Sequence, residues 1–218
     1  MTGNLTRQGK ERNAPTADPH VAKPPLVVGL GGGLKAGSAT EQALEVALGG
    51  AQKMGARVEL FGADDIMRLP LYLAEGWQKS PAAIRLIDLI RSADGLVIAS
   101  PGYHGSISGA VKNAVDYIEE TARDERPYLS NIPVGLIGVA AGYQAAMGTL
   151  MTLRQIVHAL RGWPTPSGVA INTRVTPLID GSCDDSLIQQ QLFTVGTQVA
   201  FLFRATDNST FRAEAQGT

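Results

Sequence analysis

Two rhythms alternate along this chain: short unbroken apolar runs, and longer stretches with helical spacing. Leu26-Val27-Val28-Gly29-Leu30 has no polar member, which predicts a strand buried on both faces. Thr40 to Met54 then places Ala43, Leu44, Ala47, Leu48 and Ala51 on one helical face. Arg57-Val58-Glu59-Leu60-Phe61 alternates with period two and predicts a strand at a sheet edge. Residues 62–80 read as a longer connection, closed by Ser80-Pro81 as N-cap and first residue of a helix to Ser92. The remaining pattern predicts strands over Gly95–Ser100, Ile132–Val139 and Gly168–Ile171. It predicts helices over Ser108–Thr121, Ala145–Leu160 and Asp185–Phe203. Residues 1–23 and 206–218 lack periodicity and predict a mobile arm and tail around one domain, residues 24–205.

Five strands alternating with five helices predict an α/β fold, a five-stranded parallel sheet between two helical layers. Right-handed crossovers and a glycine-rich turn after the first strand select the order 2-1-3-4-5. Ligands of such sheets bind outside the carboxyl ends of the strands, at the switch point between strands one and three. The loops after Leu30 and after Ala99 are therefore expected side by side.

The first of these reads Gly31-Gly32-Gly33-Leu34-Lys35-Ala36-Gly37-Ser38-Ala39-Thr40. Glycines let a backbone turn its N–H groups inward, and the following helix directs its positive end to the same place, so the loop suits an anion. Ser38 and Thr40 add hydroxyl donors and Lys35 a charge. A P-loop would need lysine at position 38, where Ser38 stands; a dinucleotide fingerprint would need glycine at 34, where Leu34 stands. A mononucleotide phosphate held by hydroxyls and backbone fits the composition best, against a βα turn that binds nothing.

The second loop, Pro101-Gly102-Tyr103-His104-Gly105-Ser106, brings an aromatic ring, an imidazole and glycines to the same edge, as a flat polar ligand requires. The third, Ala140-Ala141-Gly142-Tyr143, has small residues that let a flat ligand approach the backbone. Gly142 is expected in a turn with unusual dihedrals.

Composition narrows the function classes. The chain has 218 residues, 44% of them hydrophobic and only 18% charged, with a formal net charge of -1. No basic run predicts a nucleic-acid partner, and no apolar stretch reaches a membrane span. A single cysteine, Cys183, excludes an internal disulfide, and with no apolar signal core in the polar N-terminal stretch this predicts a cytoplasmic protein. Three widely spaced histidines and that cysteine give no metal-ligand cluster. Other residues read as architecture. Lys112 and Asp116 suit a surface pair, His158 and Trp163 suit packing, and Glu119, Glu120, Asp124 and Glu125 suit solvent.

Taken together, residues 32–40, Pro101 to Ser106, and Ser108-Gly109-x-x-Lys112-Asn113-Ala114-x-Asp116 resemble the NAD(P)H-dependent FMN reductases of flavodoxin-like fold. The resemblance spans about residues 25–172. It implies FMN as the flavin and NADPH or NADH as co-substrate. It implies that Gly33, Lys35, Gly37, Ser38 and Thr40 hold the phosphate. Pro101, Gly102, Tyr103, His104, Gly105 and Ser106 would line the isoalloxazine, with Gly142 and Tyr143 nearby. It also implies a homodimer or homotetramer paired through the helix after the second loop, and a flavin-dependent monooxygenase as partner. The sequence departs from the family where Gly33 replaces a hydroxyl residue, Lys35 an arginine, His104 an asparagine and Gly102 a glutamate. Two other readings stand beside it: a reductase of quinones, azo dyes or metal ions that keeps FMN bound, and a flavodoxin-type electron carrier. Carriers of that type are usually strongly acidic, and a net charge of -1 argues against the second.

Overall fold

The computed structural model describes residues 24–179, 182–183 and 185–206; the expected arm and nearly all of the expected tail lie outside them. The chain begins with β1 (Leu26–Gly31), buried at every position, followed by α1 (Ala39–Lys53) and β2 (Arg57–Phe61). A short α2 (Ala63–Ile66) lies inside what reads as a plain connection. Then come α3 (Pro81–Ser92), β3 (Gly95–Tyr103), β4 (Ser106–Ile107) and α4 (Gly109–Asp116). β5 (Pro133–Ala140), α5 (Tyr143–Ala159) and β6 (Trp163–Asn172) follow. A two-stranded ribbon of β7 (Leu178–Ile179) and β8 (Ser182–Cys183) precedes α6 (Ser186–Thr206).

The main sheet runs β2-β1-β3-β5-β6 with all four pairings parallel, which is the expected 2-1-3-4-5 order counted over the long strands. A sixth strand, the two-residue β4, adds to β3 antiparallel. Alternation along the strands sorts two cores. Val27, Val97, Ile137 and Val169 pack under Leu44 and Leu48 of α1 and Val195 and Val199 of α6. Val28, Ile98 and Leu136 pack on the other face, under Leu86 and Ile90 of α3, Val111 of α4 and Leu153 of α5.

Caps set the helix starts as the sequence indicates. The Ser80 hydroxyl accepts from Ala83 N, with Pro81 opening α3, and the Ser108 hydroxyl accepts from Val111 N at the head of α4. The helix expected over Ser108–Thr121 is α only to Asp116 and tightens to a 3₁₀ turn over Tyr117–Thr121. β6 starts at Trp163, five residues before the expected Gly168, and carries Pro164 and Pro166. An edge strand tolerates prolines because one side of its ladder faces solvent. The same edge position leaves Trp163 41% exposed, so it does not pack as expected. His158 is also exposed, near the end of α5. The Cys183 side chain lies outside the described part of the molecule.

Candidate functional site

The two glycine-rich loops leave neighbouring points. Gly31 at the end of β1 stands in register with Ala99 of β3, and Gly32 N donates to Ala99 O at 3.3 Å. A Cβ at Gly31 would lie 1.9 Å from that same carbonyl oxygen, and its φ is +140°, so only glycine fits this junction. Pro101 pairs with Val139, and Ala140 with Asn172, so the third loop opens at the same carboxyl edge.

The first loop is stapled by the start of its own helix. Ser38 is the N-cap of α1, and its hydroxyl accepts from Glu41 N at 3.3 Å and from Gly33 N at 3.0 Å. Glu41 is buried and reaches back, accepting from Gly37 N at 2.7 Å with one oxygen and from Ala63 N at 2.8 Å with the other. The Gln42 amide donates to Gly37 O at 2.7 Å. The backbone N–H groups of Leu34, Lys35, Ala36, Ala39 and Thr40, the Thr40 hydroxyl and the Lys35 ammonium find no partner among the described residues. The loop thus holds its ends internally and leaves a cluster of donors uncommitted.

The second loop is a hairpin rather than a strand end running into a turn. Gly102 pairs with Ile107 and Tyr103 with Ser106, and His104 and Gly105 form the two-residue turn with φ of +49° and +88°. Positive φ at both positions is the type I′ turn, which matches the right-handed twist of the flanking strands. Histidine, like asparagine, tolerates the first of these positions better than most side chains, which suits His104 to it. The turn projects Tyr103 and His104 into solvent without a hydrogen-bond partner among the described residues. Below it, the buried Ser100 hydroxyl donates to Pro101 O at 2.9 Å and accepts from Ser108 N at 3.0 Å, locking the hairpin to α4.

Gly102 packs against α5. A Cβ there would meet the Thr149 hydroxyl of α5 at 2.4 Å and Ala145 O at 3.1 Å. The space a glutamate would need is filled by Thr149, itself fully buried and donating to Ala145 O. In the third loop, Gly142 has φ −175° and ψ 147°, extended backbone open to any residue, which corrects the expected special turn. No atom lies within 4 Å of a Cβ built there, and α5 has no side-chain N-cap. Tyr143, 60% exposed, opens that helix.

Two residues that local sequence reading leaves without a role carry structure here. Asn113 Oδ1 accepts from Tyr72 N at 2.8 Å, and its Nδ2 donates to Pro70 O at 2.9 Å. The Tyr72 hydroxyl donates to Glu120 at 2.6 Å, so Glu120 is engaged rather than merely solvated. Burial, then the Glu120 carboxylate, hold that phenol well above the ordinary tyrosine range. Asp124 likewise pairs with Arg91 at 2.8 Å, which draws its carboxyl below the usual range. Lys112 and Asp116 form the expected surface pair.

This edge can be set against known proteins. The family described as NADPH-dependent FMN reductase matches residues 25–176. The chain belongs to that family. It is 32% identical over 174 residues to an NAD(P)H-dependent FMN reductase of Pseudomonas aeruginosa, covering 76% of this chain and 90% of that protein. It is 38% identical over 103 residues to an FMN-dependent NADPH-azoreductase of Staphylococcus haemolyticus, 46% of this chain and 51% of that one. In structure it is similar to FerB, a flavoenzyme NAD(P)H:(acceptor) oxidoreductase of Paracoccus denitrificans. The TM-score is 0.66 at 22% identity, over 83% of this chain and 98% of that one. The three-layer architecture is therefore that of flavodoxin-like flavoproteins, and the three loops occupy the switch-point edge of the family fold. No helix among the described residues is long and apolar enough to cross a membrane.

Proposed function

We propose that this NAD(P)H-dependent flavin oxidoreductase holds FMN across the three loops at the carboxyl edge of its sheet. Membership of the NADPH-dependent FMN reductase family carries the activity and the two cofactors. One observation carries the placement: the donor-rich loop over residues 33–40 and the Tyr103–His104 hairpin start from the hydrogen-bonded junction of Gly32 and Ala99. The donor set fits the flavin. Uncommitted N–H groups, a free hydroxyl and a lysine suit a phosphate dianion, and an uncapped helix start with an open glycine suits a flat ring.

On this reading Gly33, Lys35, Gly37, Ser38 and Thr40 form the phosphate cradle. Ser38 keeps its hydroxyl proton to donate, since its oxygen already accepts from two N–H groups. The backbone from Pro101 to Ser106 lines the ring, with Tyr103 and His104 at its rim. Gly142 would leave room for the ring at the first N–H groups of α5, whose positive end favours negative charge. Bound FMN would supply the redox chemistry between the reduced nicotinamide and a second acceptor. The protein supplies placement, and no general base is required of it.

A homodimer or homotetramer, a cytoplasmic setting and a monooxygenase that consumes reduced flavin belong to the same proposal. The exposed stripe of Tyr143, Met147 and Met151 lies along α5 and not on the helix after the second loop, and it supports self-association through α5. The azoreductase among its relatives favours a second reading, in which FMN stays bound and azo dyes or quinones are the acceptors.

The test is anaerobic mixing of the protein with FMN and NADPH or NADH. Bleaching of the flavin band is expected; none with either nucleotide would overturn the proposal. Protein that stays yellow through gel filtration and turns over quinone but not free flavin would favour the second reading.

A further inference from the structure

Glu41 is a buried carboxylate, 7% exposed, with no cationic partner among the described residues. Its two oxygens each accept one backbone N–H, from Gly37 at 2.7 Å and from Ala63 at 2.8 Å. Those two amides belong to different segments, the donor-rich loop and the start of α2 after β2. α2 has no cap of its own, since its N-cap residue is Gly62, so Glu41 serves that end from across the fold. A Cβ at Gly62 would lie 2.4 Å from the Glu41 oxygen, which shows how closely the backbone has been brought to the carboxylate.

We infer that Glu41 is a positioning residue for phosphate binding: by fixing Gly37 to α2 it sets the loop in the shape that leaves the N–H groups of residues 34–36 free for the anion. The inference rests on the proposal that residues 33–40 hold the phosphate of FMN. Ser38 and Gln42 tie the loop to the start of its own helix, whereas Glu41 joins it to a second segment. Gly33 has no side chain to reach the phosphate, and a Cβ there would lie 2.8 Å from the Ser38 hydroxyl. Pre-formed geometry favours binding, because a loop already shaped for its ligand loses less freedom. Charge-assisted bonds to backbone amides are the strong kind, and both Glu41 oxygens are needed to make them. Glutamine offers one accepting oxygen and one amino group, so Glu41→Gln keeps at most one of the two.

The experiment titrates FMN and riboflavin, which lacks the phosphate, into the wild-type protein, Glu41→Gln and Gly62→Ala, by flavin fluorescence. Gly62 has φ −93° and ψ −161°, which alanine adopts freely, so its new methyl displaces the flexible carboxylate without removing the charge. Expected are a wild-type preference for FMN over riboflavin and about tenfold weaker FMN binding in both variants, with riboflavin affinity unchanged. A wild-type preference retained in full by both variants overturns the role of Glu41 and leaves the phosphate reading standing. Loss in Glu41→Gln alone overturns positioning, because displacing the carboxylate in Gly62→Ala would then leave the loop competent. An equal loss for both flavins overturns it in favour of general damage. Equal wild-type affinity for the two flavins overturns the phosphate reading and this inference with it.

Discussion

Residues 31–40 and residues 101–106 leave adjacent strands side by side, yet different physics holds each of them. The first loop is shaped by side chains, with Ser38, Glu41 and Gln42 gripping Gly33 and Gly37 through three hydrogen bonds from the start of α1. The second is shaped by backbone dihedrals, a type I′ hairpin whose side chains stay free. A loop held by side chains spends its polar groups on itself and presents what remains of its backbone. A hairpin held by dihedrals, with Ser100 tying only its base to α4, can present Tyr103 and His104 outward. That division suits a ligand with an anionic end and a flat end.

Substitutions that strike one loop and spare the other sharpen this contrast. The largest effect is expected where both loops share a root. Gly31→Ala puts a methyl into Ala99 O at a backbone angle alanine avoids, so denaturation should show a loss of at least about 3 kcal/mol and FMN binding should vanish.

Next comes Gly102→Ala, expected to lose about 2 kcal/mol by overpacking against Thr149. Adding Thr149→Ala should recover part of that loss, a coupling of about 1 kcal/mol in a double-mutant cycle. Strict additivity would show that the two residues do not compete for the same space.

His104→Val should cost the hairpin about 1–2 kcal/mol, since a branched side chain resists φ of +49°, whereas His104→Asn should melt with the wild type. Any change in FMN affinity in His104→Asn then reports the imidazole alone. In the first loop, Ser38→Ala removes a cap and the Gly33 staple together, about 1 kcal/mol of stability, and should weaken FMN more than riboflavin.

The smallest effect lies away from both loops. Tyr72 has its phenol pKa raised in the folded protein, so its contribution is fully present below the ordinary tyrosine range. The contribution falls as pH climbs through that range towards the folded value, because the unfolded chain ionises first. Denaturant midpoints measured from neutral to strongly alkaline pH should fall less steeply in Tyr72→Phe. An identical slope would assign the alkaline loss to other groups.

Much of this was legible in the order of residues. Hydrophobic period and capping residues fixed the long strands, the α3 start at Ser80-Pro81 and the strand order, because these depend on local geometry and on which face must be buried. The glycines at 31–33 and the His104-Gly105 pair also signal a close approach and a turn, and the two residues between Tyr103 and Ser106 are the spacing of a tight hairpin. What only the folded chain decided were the contacts that join distant segments. Glu41 reads as an ordinary first-turn acid until the fold brings Ala63 to it, 22 residues away. Gly102 reads as a lost carboxylate until α5 places Thr149 against it. A chain specifies its own periodicity locally, but a hydrogen bond or a steric limit between remote residues exists only once packing has brought them together.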